Sequence, residues 1–188
     1  MTAPTITSVN GVDVSQLMDT IDHIKQDPNL ARFTFQAQNE WQGGGRSETT
    51  IQSFVHAGEE NRSRQEPFVL EGDEPPILLG QNTAPNAVEA VLHALASCLA
   101  VGFVYNAAAQ GIEVEELTFD IEGDLDLHGF LGLSDEVRPG YENIDLTYRV
   151  KTDAPREKVE ALCEYVQQTS PVVDIIRNAV PLSIELEA

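Results

Sequence analysis

The sequence predicts an α+β fold with antiparallel sheets. Strand-like alternation comes in runs, at residues 32–56, 117–127 and 144–151, and not in regular exchange with helices. Residues Ala90 to Tyr105 form the longest apolar stretch, apolar on nearly every face of a helix, and such a helix is expected to be buried.

Each element follows from its own pattern. Val14, Leu17, Met18, Ile21 and Ile24 recur at helical spacing, and Pro28 stops them, which predicts an amphipathic helix over 14–26. Phe33, Phe35 and Ala37 alternate with Thr34, Gln36 and Gln38, so residues 32–42 read as a strand ending at Trp41. Gly43-Gly44-Gly45 makes a turn, and Arg46 to His56 reads as the returning strand of a hairpin. Residues 57–85 are polar and rich in Pro and Gly. They are expected to form a long loop with one short strand at Phe68–Leu70.

Asn86 is a good N-cap for a helix from Ala87 to Ala109, with Gly111 just past its end. Leu117, Phe119, Ile121, Leu125 and Leu127 then alternate with acids, giving a strand with one acidic face. Ile144, Leu146, Tyr148 and Val150 alternate with Asp145, Thr147, Arg149 and Lys151. Pairing these two strands would set basic side chains beside acidic ones. Thr152 or Asp153 is expected to cap a helix starting at Ala154-Pro155, whose apolar face holds Val159, Leu162, Cys163 and Val166. Pro171 interrupts it, and a short helix over Val172–Asn178 and a closing strand through Leu182, Ile184 and Leu186 complete the chain. The whole reads as one domain over 1–188, with an N-terminal helical extension over 1–30.

The chain has 188 residues, 41% of them hydrophobic, enough for a core and too many for a disordered acidic tail. Acidic residues number 31 against 11 basic, a formal net charge of -20, and the only lysines are Lys25, Lys151 and Lys158. A field of that sign repels phosphates and anionic lipid surfaces, so neither nucleic acid nor membrane is an expected partner, whereas a neutral apolar molecule is unaffected. The same lysine-poor surface suits a salt-rich cytoplasm. The first residues carry neither a basic nor an apolar leader segment, and the 90–105 stretch is short for a membrane span, so a cytoplasmic location is expected.

Two cysteines, Cys98 and Cys163, are too few for a disulfide framework, and no Cys/His group has zinc spacing, so neither a metal nor another cofactor is expected. A free cysteine is commonly a small buried hydrophobe, and that reading suits Cys163 beside Val159 and Val166. His93 lies five positions from Cys98, about 140° around the helix, a poor placement for a general base. It reads as a buried histidine satisfied by a neighbour such as Glu89, one turn away. Asp124 and Asp126 lack the spacing of a calcium loop and read as a solvated strand face.

The segment from Asn86 to Leu99, Asn-Ala-Val-Glu-Ala-Val-Leu-His-Ala-Leu-Ala-Ser-Cys-Leu, resembles the central-helix signature of the OsmC/Ohr family of thiol peroxidases. Trp41 to Arg46 resembles the family's Gly-Gly-Arg turn. Ser170-Pro171-Val172-Val173 through Arg177 resembles its Cys-Pro segment and following arginine, and Val180 to Ile184 its last strand. The N-terminal helix and Gly129 to Asp135 look more like a less characterised branch. The resemblance implies an intertwined homodimer with two central helices and sites at the subunit interface. It also implies reduction of organic hydroperoxides, an oxidative-stress defence. On it, Cys98 is the attacking thiol and Arg46 supplies positive charge to the thiolate, the attacking species.

Two departures set this chain apart. The family's second cysteine falls at Ser170, and a hydroxyl cannot close a disulfide on a sulfenic acid, so an external thiol reductant is implied. The family's glutamate falls at Val88, with Glu89 one place on, a turn of about 100° on a helix. Cys163 lies two helical turns before Ser170, about 10 Å along the axis, beyond the roughly 7 Å between Cα atoms that a disulfide allows. The resemblance therefore implies a one-cysteine peroxidase using Cys98 and Arg46, supported by Glu89, Ser170 and Arg177. The alternative is a binding module whose interface pocket holds an apolar or thiol-bearing small molecule.

Overall fold

A computed structural model describes residues 8–187; residues 1–7, part of the stretch inspected for a leader segment, lie outside it. The chain forms two compact units, one over Ser15–Val91 and one joining the N-terminal hairpin to everything from Leu92 onward.

The hairpin pairs β1 (Ser8–Val9) with β2 (Val12–Asp13). Its Asn10-Gly11 turn places both residues at positive φ, the geometry that two-residue hairpin loops require. The Asn10 amide donates to the Ile112 carbonyl at 2.9 Å, and its oxygen accepts from Val114 N at 2.9 Å. The helix α1 (Val14–Gln26) matches its predicted span.

The expected hairpin is present but interrupted. Residues 32–42 divide into β3 (Phe33–Phe35) and β4 (Gln38–Gly43). The returning strand divides at the same level into β5 (Arg46–Ile51) and β6 (Phe54–His56). β4 pairs with β5 and β3 with β6, both antiparallel. Each half then gains a third strand. β7 (Glu59–Asn61) returns on β6 through an Ala57-Gly58 turn with positive φ at both residues, and β8 (Phe68–Gly72) lies along β5. The expected long loop therefore contributes a strand to each sheet. The interruption was unreadable because Gln36-Ala37 and Gln52-Ser53 carry no turn chemistry of their own.

The helix α2 (Ala87–Ala109), which lies in the larger unit from Leu92 on, ends in a left-handed Gly111, and Ile112 N reaches back to Ala107 O at 2.9 Å. β9 (Glu116–Asp124) pairs with β10 (Asn143–Lys151) through nine antiparallel positions. The predicted charge pairing forms on the outer face: Arg149 meets Asp120, and Lys151 reaches Glu115 at 2.6 Å. The first strand stops before Leu125 and Leu127. Asp126 instead accepts from His128 N at 2.9 Å and caps a short helix, α3 (Leu127–Phe130).

The helix α4 (Arg156–Thr169) starts after Pro155, whose carbonyl accepts the first helical bonds. Thr152 Oγ1 instead accepts from Ala154 N ahead of the helix. α5 (Pro171–Arg177) follows at once. The inner face of β9 and β10 packs on the core formed by Leu95, Leu99, Phe103, Ala107, Leu162, Val166 and Val173.

Other expectations fail. The predicted closing strand does not form: the chain after Asn178 is irregular, and Leu182 and Ile184 are 80% and 85% exposed. An alternating segment becomes a strand only where a neighbour accepts its hydrogen bonds, and none of the described strands does so. α2 is not buried on most faces: one stripe from Leu95 to Ala107 is buried, while Val101 and Tyr105 are exposed. At 23 residues, α2 is also long and apolar enough to cross a membrane by length and composition, contrary to the shorter reading. Its buried stripe packs within the chain's own core.

Candidate functional site

Cys98 sits one position before Leu99 on α2 and is half-buried. Its Sγ lies 3.1 Å from the Oγ of Ser170, which is 5% exposed. Ser170 occupies the link between α4 and α5 and caps α5, its Oγ accepting from Val173 N at 3.2 Å. A hydroxyl has one proton and two lone pairs. With one lone pair taken by Val173, Ser170 can still accept from the Cys98 thiol or turn its proton to the sulfur.

The close approach of α2 to α4 has a local cause. A Cβ on Gly102 would come within 3.0 Å of Val166 Cγ1, and Val166 is 1% exposed. Glycine at that position lets the helices meet tightly enough for residues 98 and 170 to touch.

Tyr148 on β10 faces the same core. Its ring packs edge-on against Phe119 at 4.9 Å between centroids and lies 6.2 Å from Phe103. Its hydroxyl is shut off from solvent and has no hydrogen-bond partner among the described residues. Burial pushes the phenol up to about 12, and the nearness of Cys163 and then Cys98 adds to the shift. It therefore stays protonated, a donor, at neutral pH. Burial also raises the Cys163 thiol, which makes it a poor thiolate and fits a packed side chain. Both cysteines are free. Tyr148 also lines a groove of about 330 Å³, with Leu95, Leu99, Asp145, Gln167, Ile176 and Arg177.

The other residues singled out from sequence stand as follows. Arg177 ends α5 and lines this groove. Arg46 opens β5 opposite Gly43, is exposed, and makes no ion pair among the described residues. Glu89 is occupied at the start of α2: its carboxylate accepts from Asn86 N at 2.8 Å while Asn86 Oδ1 accepts from Glu89 N at 2.9 Å, a capping box. His93 is exposed and not buried, with Ser97 and not Glu89 as its neighbour at 3.5 Å. Among the described residues no cluster could hold a metal ion. Sequence reasoning passed over Tyr148, because on an alternating strand it counts as one more apolar residue; its hydroxyl was the only signal.

The profile of the OsmC-like protein family matches residues 80–185, and the chain belongs to that family. An OsmC-like protein from Mycoplasma pneumoniae has a similar structure, with 14% identity, a TM-score of 0.56, and 79% of this chain and 89% of that one covered. An OsmC-like protein of unknown function from Vibrio cholerae matches with 14% identity and a TM-score of 0.54 over 75% and 92% of the two chains. A third, from Legionella pneumophila, is described as the organic hydroperoxide resistance protein OsmC; it has 18% identity and a TM-score of 0.51 over 77% and 89%. At these identities the likeness is one of fold. No curated protein matches the chain.

Proposed function

We propose that this protein reduces organic hydroperoxides through the single thiol of Cys98, in the cytoplasm and as a homodimer. The observation that carries the reading is the pairing of Cys98 Sγ with the buried Ser170 Oγ at 3.1 Å; a groove of small-molecule size, lined by both apolar and polar side chains, includes the neighbouring Leu99. The thiolate attacks the distal peroxide oxygen and the O–O bond breaks. The alkoxide leaves with a proton as an alcohol, and Cys98 becomes a sulfenic acid. With serine at 170, no second thiol stands at that contact. An external thiol then displaces water from the sulfenic acid to give a mixed disulfide, and a second thiol releases Cys98 and departs as the external disulfide. Family membership supports the reaction class, and Arg177, which lines the groove, is the cation that would face an anionic intermediate or the substrate.

The test is intact-mass spectrometry after one equivalent of cumene hydroperoxide, with dimedone present to trap sulfenic acid. The native protein and Cys163→Ser should gain the adduct within seconds, and Cys98→Ser should not. A loss of two hydrogens that needs both cysteines would refute the one-cysteine cycle. No reaction within minutes would leave the second reading, a binding module, which the groove between Leu95, Leu99 and Ile176 favours. An apolar molecule carried through purification would support it.

A further inference from the structure

Ser170 has more hydrogen-bonding capacity than a helix cap uses. Its side-chain oxygen meets two groups among the described residues, Val173 N at 3.2 Å and Cys98 Sγ at 3.1 Å. The Val173 amide can only donate, so it takes one lone pair and leaves the hydroxyl proton for another partner. A thiolate has no proton to give. Once Cys98 is ionised, the contact can run in one direction only, from the hydroxyl to the sulfur. The amide behind it strengthens that donor, because hydrogen bonds in a chain polarise one another.

We propose that Ser170 is a positioning residue whose hydroxyl, oriented by the Val173 amide, donates to the Cys98 thiolate and holds that sulfur charged and in place for the peroxide. The proposal rests on the one-cysteine reading and gives Ser170 a task where the resemblance puts a second cysteine. The same contact answers an electrostatic problem. A net charge of -20 opposes one more anion. Arg46, to which the resemblance gives the stabilising charge, belongs to the other compact unit. Around the contact pack α2, α4, α5, β9 and β10. Besides Cys98, their half-buried titratable side chains are Tyr148 and Cys163, and burial raises both, so neither is charged at neutral pH. His93 on α2, Asp174 and Arg177 on α5, and the other charged side chains of these elements are exposed. With no buried cation among the described residues, the hydroxyl is the group placed to steady the thiolate.

The experiment follows alkylation of Cys98 by iodoacetamide across pH 6–10 in the native protein, Ser170→Ala and Ser170→Gly, with peptide masses separating Cys98 from Cys163. The thiolate is the species that reacts. Both variants should react about 10-fold more slowly at pH 7, the order expected for one hydrogen bond to a charged group. They should converge on the native rate toward pH 10, where hydroxide ionises the thiol without help. Glycine caps a helix almost as well as serine, so that variant keeps the start of α5 if alanine loosens it. Sulfenic acid formation with cumene hydroperoxide and dimedone is read in parallel and should fall by a similar factor at pH 7. Superimposed alkylation profiles in the native and glycine proteins would overturn the proposal. So would a loss of equal size at every pH, since Ser170 would then govern access to the sulfur and not its charge. A loss confined to lower pH, in a protein whose native form makes no sulfenic acid, would uphold the hydrogen bond and refute the peroxidase reading.

Discussion

At the scale of single residues, the contact between Cys98 and Ser170 is the most informative distance in the molecule. A sulfur and an oxygen 3.1 Å apart, on α2 and at the α4–α5 link, show that the two side chains meet, as two cysteines must before they can close a disulfide. The substitution Ser170→Cys is therefore expected to produce a protein that loses two hydrogens on one equivalent of peroxide, with no dimedone adduct. Intact-mass measurement reads this directly, and a persistent adduct would mean that the two side chains do not meet in solution. Cys163, two turns earlier on α4 and raised by burial, should be untouched in the same sample.

At the scale of elements, two local devices fix the geometry. The first is Gly102. Alanine there gains about 1 kcal/mol of helix propensity. Its methyl would press on Val166 inside the core, and overpacking of this kind costs about 1–3 kcal/mol. Val166 is enclosed and cannot yield easily, so Gly102→Ala should be destabilising by about 1 kcal/mol in urea unfolding, the balance of these two effects. A neutral result would show that α4 can slide.

The second device is the loop after β8. Asp73 is 2% exposed and accepts from Glu74 N at 2.8 Å, Thr83 N at 3.0 Å, Thr83 Oγ1 at 2.8 Å and Gln81 N at 3.2 Å. Gly80 closes the loop, since a Cβ there would overlap the Glu74 carbonyl. The Thr83 amide, with help from the other donors, holds the Asp73 carboxyl down to about 2, against an ordinary value of 3.8. The folded value is the lower one. The clamp thus contributes fully above about pH 4 and is lost as pH falls toward 2. Hydrogen exchange at the Gln81 and Thr83 amides should accelerate over that interval beyond the intrinsic pH trend. In Asp73→Asn the acid-induced step should be absent; an unaltered step would assign the acid sensitivity elsewhere.

At the scale of the whole molecule, a net charge of -20 and uncovered apolar surface are the dominant facts. The acids of β9 and the exposed helix faces repel one another, and raising salt from about 0.1 M to 1 M shortens the screening length from about 10 Å to 3 Å. The thermal midpoint should therefore rise across that range in potassium chloride; a flat response would exclude a salt-adapted surface. The outer side of α2 at Val101 and Tyr105, and Leu182 and Ile184 near the C-terminus, are exposed within one chain. Surface of this kind is normally covered by a partner. Light scattering should give twice the 20.6 kDa chain mass, and a monomer would remove the homodimer from the proposed function.

The sequence by itself determined the α+β class, the ends of α1 and α2, the β9–β10 pairing with its charge contacts, and Cys98 and Ser170 as positions of interest. These rest on local rules: an Asn cap, a glycine stop, period-two alternation, and motifs contiguous in the chain. Tertiary structure alone decided the rest. Whether 182–186 becomes a strand depends on an edge it must find. Whether the 32–56 hairpin stays continuous depends on which third strand each half recruits. Which faces of α2 are covered depends on what else is present to cover them. Tyr148 was invisible for the same reason: its alternation is that of a core strand residue, and only packing against Phe119 leaves its hydroxyl without a partner among the described residues.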